Sequence, residues 1–237
     1  NGGGMAGSLK SRKKSSPAQA ADDCAQLLRR GRLADCYELL PQLGVAKDCR
    51  ALPVLRKLLA CGDRAREEMA VCGLAALGDP AAIPWLLRKI SHPAIRRGVG
   101  SQRIQTAVLD AIGEIGDDEA TPGLVKLFRR EIAGDIFRRK RRLIIIDVLG
   151  LIAQQGGRRA LAELAVLMEH PDFCIRAQAI LAIAGAFFNR PNEIPGEIFE
   201  RLLARFRDSN LYVQDALIGA LESLADVGCR RAAALFN

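Results

Sequence analysis

The sequence predicts an all-α solenoid, a chain of stacked helical repeats that share one continuous core. Three observations predict it. Ala, Leu, Ile and Arg dominate while aromatic residues make up only 5%, a balance that suits packed helices better than strands. A short motif, Ala-x-Pro-x-Leu, recurs along the chain. An amphipathic helical pattern recurs in step with it, at successive spacings of 38, 37, 34 and 38 residues, which excludes a coiled-coil heptad and fits a two-helix unit.

The first segment, residues 1–18, is Gly, Ser and Lys with Lys10, Arg12, Lys13 and Lys14 and no acid. It buries too little apolar area to offset ordering and is expected to be a disordered basic tail. Asn1 to Gly4 read as an expression remnant ahead of a native start at Met5. Residues 19–237 read as one domain. It opens with a capping helical pair, Gln19–Arg30 and Leu33–Leu43, and ends soon after a helix that starts near Cys229, which reads as a short or truncated cap.

Between the caps, the first helix of each unit carries the proline motif. It reads Ala51-Leu52-Pro53-Val54-Leu55, then Ala82-Ile83-Pro84-Trp85-Leu86, then Ala120-Thr121-Pro122-Gly123-Leu124, with a degenerate copy at Ala160-Leu161-Ala162-Glu163-Leu164. Proline recurs there because its missing N–H is one of the unpaired donors of a first turn. The second helix aligns on Glu67, Gln105, Arg142, Arg176 and Gln214. Three residues on lie Ala70, Val108, Ile145, Ala179 and Leu217, and seven on lie Leu74, Ile112, Leu149, Ile183 and Leu221. That spacing puts an apolar stripe on one face of every second helix. Gly78-Asp79 and Gly116-Asp117 supply a glycine stop and an acidic start to the next helix.

These residues resemble the short HEAT-like repeats first described in phycobilin lyases, whose consensus is similar to V-R-x-x-A-x-x-A-L-G-x-I-G-D-x-x-A-x-P-x-L. The resemblance covers roughly Cys49 to Phe236. It implies a right-handed α-α superhelix of about five HEAT-like repeats, with an inter-repeat Asp–Arg ladder along the repeated arginine. Only Arg142 and Arg176 keep that arginine; Glu67, Gln105 and Gln214 replace it.

Repeats of this kind run about 31 residues, as Ala51 to Ala82 does, so the longer spacings imply insertions, which in repeat proteins collect on one face. His92-Pro93 precedes its register position by thirteen residues and His170-Pro171 by six, so one insertion falls within Ala94 to Gln102. It carries Arg96 and Arg97, with Arg103 just after. The next, Ile132 to Arg141, carries Arg138, Arg139, Lys140 and Arg141, and a helix capped by Asp135 would hold this basic run at its own positive end. These seven cations are the expected binding residues. The formal charge of +8 divides as +4 for residues 1–18, +6 for 19–142 and −2 for 143–237, so the positive field lies N-terminally. An acidic protein partner, a nucleic acid or an anionic membrane would require this.

The inventory argues against chemistry. Both histidines precede proline in inter-helix turns, which reads as structural punctuation rather than catalysis or metal binding. HEAT-like di-iron hydroxylases need several His-Glu pairs, and none occurs. The cysteines, Cys24, Cys36, Cys49, Cys61, Cys72, Cys174 and Cys229, form no CxxC pair and read as reduced core residues of a cytoplasmic protein. The N-terminus has no signal-peptide apolar region, and the longest apolar stretch, Leu143 to Ala153, falls short of the ~20 residues of a membrane span. Asp147 interrupts that stretch and either faces solvent or is a buried carboxylate needing a partner such as Arg142 or Arg176. Trp85 reads as a core or groove residue. No cofactor and no metal are expected. The expected function is a non-catalytic scaffold binding a protein with an acidic surface; the alternative is a nucleic-acid-binding solenoid, including one like the DNA glycosylases.

Overall fold

The computed structural model describes residues 49–93, 95, 102–131 and 136–236, together with 22, 23, 26, 27, 30 and 32; for residues 50 and 136–138 it describes the backbone alone. Residues 22, 23, 26 and 27 are helical, and Leu27 packs against the core. The remainder of the expected cap, the basic tail and the Asp135 cap lie outside the described residues.

Every regular element among the described residues is a helix. The first helices of the five units are α1 (Leu52–Leu59), α3 (Ile83–Ser91), α5 (Thr121–Arg130), α7 (Arg158–Leu167) and α9 (Gly196–Leu203). Their partners are α2 (Arg64–Leu77), α4 (Gln102–Ile115), α6 (Ile136–Gln154), α8 (Phe173–Ala186) and α10 (Leu211–Asp226), and the short helix α11 (Arg230–Ala233) packs on α10. The proline motif does what its chemistry predicts: Pro53, Pro84 and Pro122 each sit in the first two positions of α1, α3 and α5. In front of α3 and α5 a 3-10 turn is capped by an aspartate, Asp79 accepting from the N–H of Ala81 and Asp117 from that of Glu119, both at 2.8 Å.

The second helices stack side by side, α2 on α4, α4 on α6, α6 on α8 and α8 on α10; α2, α4, α6 and α8 also pack on their own first helices, and α10 packs on the 3-10 turn Ala204–Arg207 that follows α9. The ten stripe residues aligned in the sequence, from Ala70 and Leu74 to Leu217 and Leu221, are all fully buried. Each buried leucine or isoleucine contributes about 1.5–3 kcal/mol of burial, and none could be buried by its own unit alone. Close approach is built in at Gly150 of α6, where a Cβ would lie 3.1 Å from the Cβ of Ala182 on α8. Gly116 ends α4 at φ +69, and any side chain there would collide with Gln155, whose Nε2 caps the carbonyl of Gly113 at 3.0 Å.

Polar contacts tie each unit to the next. Asp118, in the turn before α5, accepts from the N–H groups of Arg159 and Ala160 at 2.9 and 3.0 Å and so caps α7 of the following unit. Burial opposes its ionisation, but those two bonds, the Thr121 hydroxyl and the Arg159 charge outweigh it and hold its carboxyl below the usual range. Asn192 caps α11 in the same way through the N–H of Arg230 at 3.0 Å. Among the described residues the arginine ladder is present once in full. Arg176 donates through Nε and Nη2 to Oδ2 and Oδ1 of Asp208 at 2.8 and 2.7 Å, and through Nη1 to the carbonyl of His170 at 2.9 Å. Gln214 retains half of the pattern, donating to the carbonyl of Asp208 at 2.7 Å.

One expectation about the core is corrected. Cys49, Cys61 and Cys72 are exposed and Cys174 is half-buried; among the described cysteines only Cys229 packs in the interior. Cys49, Cys61 and Cys174 stand at helix ends, and Cys72 lies on the solvent-facing side of α2, off the buried stripe. Among the described residues no helix is long and apolar enough to cross a membrane.

Candidate functional site

Of the seven cations expected to form a binding edge, Arg96 and Arg97 lie outside the described residues, and so does the side chain of Arg138. Arg103 is exposed at the start of α4 and pairs with Glu68 of α2, Nε to Oε2 at 3.1 Å. Lys140 is exposed in the second turn of α6. Arg139 is exposed too, and reaches across to α8. Its Nη2 lies 3.4 Å from Oδ1 of Asp172 and 2.9 Å from the Cys174 sulfur, and its guanidinium stands 5.9 Å from the Phe173 ring centroid. Arg141 differs from its neighbours. It is only 8% exposed and donates to Oε1 of Glu131, itself 1% exposed, at 3.0 Å, so helical periodicity turns this member of the basic run inward to a buried ion pair.

The solvent-facing arcs of the second helices form the first surface of note. Along α6, α8 and α10 it carries Leu151, Phe173, Leu181, Leu211 and Tyr212, all large and all exposed, with Leu211 at 72% and Tyr212 at 57%. Phe173 and Tyr212 meet edge to face at 6.0 Å, so Arg139, Phe173 and Tyr212 form a continuous row across three consecutive units. Toward α2 and α4 the same arc turns acidic, with Glu68, Asp110, Glu114 and Asp147. Asp147 is exposed and accepts from Nε2 of Gln178 on α8, which settles its orientation in favour of the solvent side. Neighbouring helices nonetheless desolvate the inner part of these side chains, and that burial pushes the carboxyls of Asp110 and Asp147 up. The thiol of Cys72 is pushed up as well, by burial and then by Glu114 and Glu68.

The second surface is the outer groove between α5 and α7, which scarcely touch. Two adjoining cavities of about 600 and 440 Å³ share Val125, Arg129 and Glu163. Lys126, Arg129 and Arg130 project from α5 here, and none has an ion-pair partner among the described residues. At the inner end, Arg142 lies with its guanidinium 4.4 Å from the Phe128 ring centroid and its Nη2 2.9 Å from Nε2 of His170. Nδ1 of His170 accepts from the N–H of Asp172 at 3.0 Å. Burial, and then the Arg142 charge, pull the imidazole below its ordinary value. Beyond Arg142 itself this site was not legible in the sequence, because its cations are spaced as an ordinary exposed helix face.

A third cavity, about 480 Å³, lies between α1 and α3. Trp85, expected as a core or groove residue, packs against the core and lines this cavity beneath the Arg56 guanidinium, 5.1 Å from the ring centroid. Its buried end is closed by an ion pair of Lys89 with Glu67. No group of three or more His, Cys, Asp or Glu stands close enough to hold a metal among the described residues.

Residues 68–92, from the second turn of α2 to just past α3, match the family model for the PBS lyase HEAT-like repeat. No curated protein sequence matches the chain. Solved structures similar to it include an engineered protein at 17% identity, covering 92% of this chain and 94% of that one with a TM-score of 0.38. Human deoxyhypusine hydroxylase in complex with glycerol is similar at 18% identity, with coverages of 89% and 97% and a TM-score of 0.39. The CpcE–CpcF complex of phycocyanin lyase from Nostoc is similar at 14% identity, with coverages of 95% and 100% and a TM-score of 0.39. With one repeat matched by that family model and five two-helix units stacked through the same buried register among the described residues, the chain folds as an all-α solenoid that contains a HEAT-like repeat.

Proposed function

We propose that this solenoid is a non-catalytic scaffold that binds another protein along the solvent face of its second helices. The observation that carries the reading is the row Arg139, Phe173 and Tyr212, continued by Leu151, Leu181 and Leu211. Aromatic rings and an arginine grouped on a rigid surface are the residues that supply most of the energy of protein interfaces. A solenoid face supplies them without further ordering cost. The partner segment is amphipathic: apolar side chains cover the ring and leucine positions, and carboxylates meet Arg139 and Lys140, with Arg103 farther along the same rim. The central acids, Asp110, Glu114 and Asp147, disfavour a phosphate backbone lying along this face, which supports the protein partner over the nucleic-acid alternative.

The test is affinity capture from the native source with the wild-type chain and with a Leu181→Asp/Tyr212→Asp variant of matched melting temperature. A protein retained by the first and lost from the second supports the reading. Equal retention by both, or salt-sensitive micromolar binding of generic duplex DNA with no protein retained, overturns it.

A further inference from the structure

The contact between Arg142 and His170 is short of acceptors. His170 and Asp208 occupy equivalent places, six residues before the register positions Arg176 and Gln214, and each faces two donors. Asp208 accepts from the Arg176 guanidinium and, through Oδ1, from the N–H of Asn210 at 3.0 Å. His170 faces the Arg142 guanidinium and the N–H of Asp172. A carboxylate has lone pairs for both. A neutral imidazole has one, and when Nδ1 accepts from Asp172 the ring proton sits on Nε2, pointing at another N–H; a protonated ring has no acceptor at all. Arg142 therefore carries its full charge without a carboxylate among the described residues, and its Nε is buried with no acceptor. Arg190 and Arg205 also bury an unpaired Nε, but each has a carboxylate within 4.0 Å, Glu193 and Asp208 respectively.

We propose that the outer groove between α5 and α7 is a docking site for an acidic peptide segment, one carboxylate of which is seated on Arg142. Three features of the groove fit that occupant. Lys126, Arg129 and Arg130 line it without partners and would meet further carboxylates. Val125 and Val166, the latter 58% exposed, offer apolar contacts between the charges. Glu131 is already engaged by Arg141, which leaves Glu163 as the acid on the opposite wall. The planar guanidinium matches a carboxylate by two parallel N–H bonds, and the low-dielectric setting against Phe128 strengthens them. This site lies apart from the second-helix face and does not depend on the reading proposed for it.

The test is fluorescence anisotropy with a labelled octapeptide of alternating glutamate and leucine at low salt. Wild-type protein should bind it saturably, and the glutamine-for-glutamate peptide should bind at least tenfold more weakly. His170→Asp should also weaken binding at least tenfold while leaving the melting temperature unchanged or raised, because an internal carboxylate then occupies Arg142. Lys126→Glu/Arg129→Glu should weaken binding similarly, and Leu181→Asp/Tyr212→Asp should leave it unchanged. Absence of saturable binding, or a His170→Asp variant that binds as tightly as wild type, overturns the proposal. So does a duplex oligonucleotide that binds wild type and is weakened by His170→Asp while the peptide does not bind.

Discussion

Arg176 and Asp208 form a two-bond ion pair across the boundary between the fourth and fifth units, at 2.7 and 2.8 Å, with the Asp208 side chain only 4% exposed. Its bonds with Arg176 hold the Asp208 carboxyl below the usual range. Removing one partner leaves a buried charge unpaired, so Asp208→Ala should cost about 3 kcal/mol in denaturant unfolding. A folded-state pKa below the unfolded value means that this stability is fully present above the ordinary carboxylate pKa and is lost as pH falls through the depressed one. The wild-type advantage over Asp208→Asn should therefore shrink on acidification below about pH 4.

His170→Asp restores the carboxylate that the ladder lacks one unit earlier. It should raise stability by about 1 kcal/mol, since it satisfies both facing donors. The pH dependence carries the same information. The folded-state pKa of His170 is lowered, so its contribution is fully present above the unfolded value near 6.5 and declines as pH falls below it. Melting temperatures measured between pH 7.5 and 5.5 should fall less steeply in His170→Asp than in wild type.

Gly78 and Gly116 share a left-handed conformation, φ +64 and +69, but differ in their surroundings. A Cβ at Gly78 meets nothing, whereas one at Gly116 overlaps the Gln155 amide that caps Gly113. Gly78→Ala should cost about 1 kcal/mol and Gly116→Ala distinctly more, about 2–3 kcal/mol. Equal costs in thermal unfolding would contradict the role given to Gln155.

The basic run of α6 separates by the side on which each residue falls. Arg141→Ala should cost about 3 kcal/mol, because Glu131 is left buried. Substituting Arg139 and Lys140 with glutamate should change stability by less than about 0.5 kcal/mol while weakening capture of the partner. Unfolding curves paired with capture assays separate the two effects.

The repeat was readable from the chain because it rests on period: the Pro motif, the residues three and seven after each register position, and the Gly-Asp stops all stand where they were placed. What escaped was the orientation of individual charges. A run such as 138–142 reads as one patch, yet a helix turns Arg141 into the core, Arg139 toward Phe173 and Arg142 toward His170. The cysteines misled for a related reason, since residue type suggests burial while the side of the helix or turn on which each one falls decides it. His170 was correctly placed in a turn, but its pairing with an arginine 28 residues earlier depends on how units stack. The cations of α5 carried no signal, because only the gap between α5 and α7 distinguishes them from any solvated helix face.

Protein binding along the second-helix face is tested most directly by hydroxyl-radical footprinting of the chain alone and in complex with its captured partner. Oxidation of Phe173, Leu181 and Tyr212 should fall severalfold in the complex while exposed Phe206, on the turn after α9, stays as reactive as before. Unchanged oxidation of those three residues in a stoichiometric complex would contradict the account.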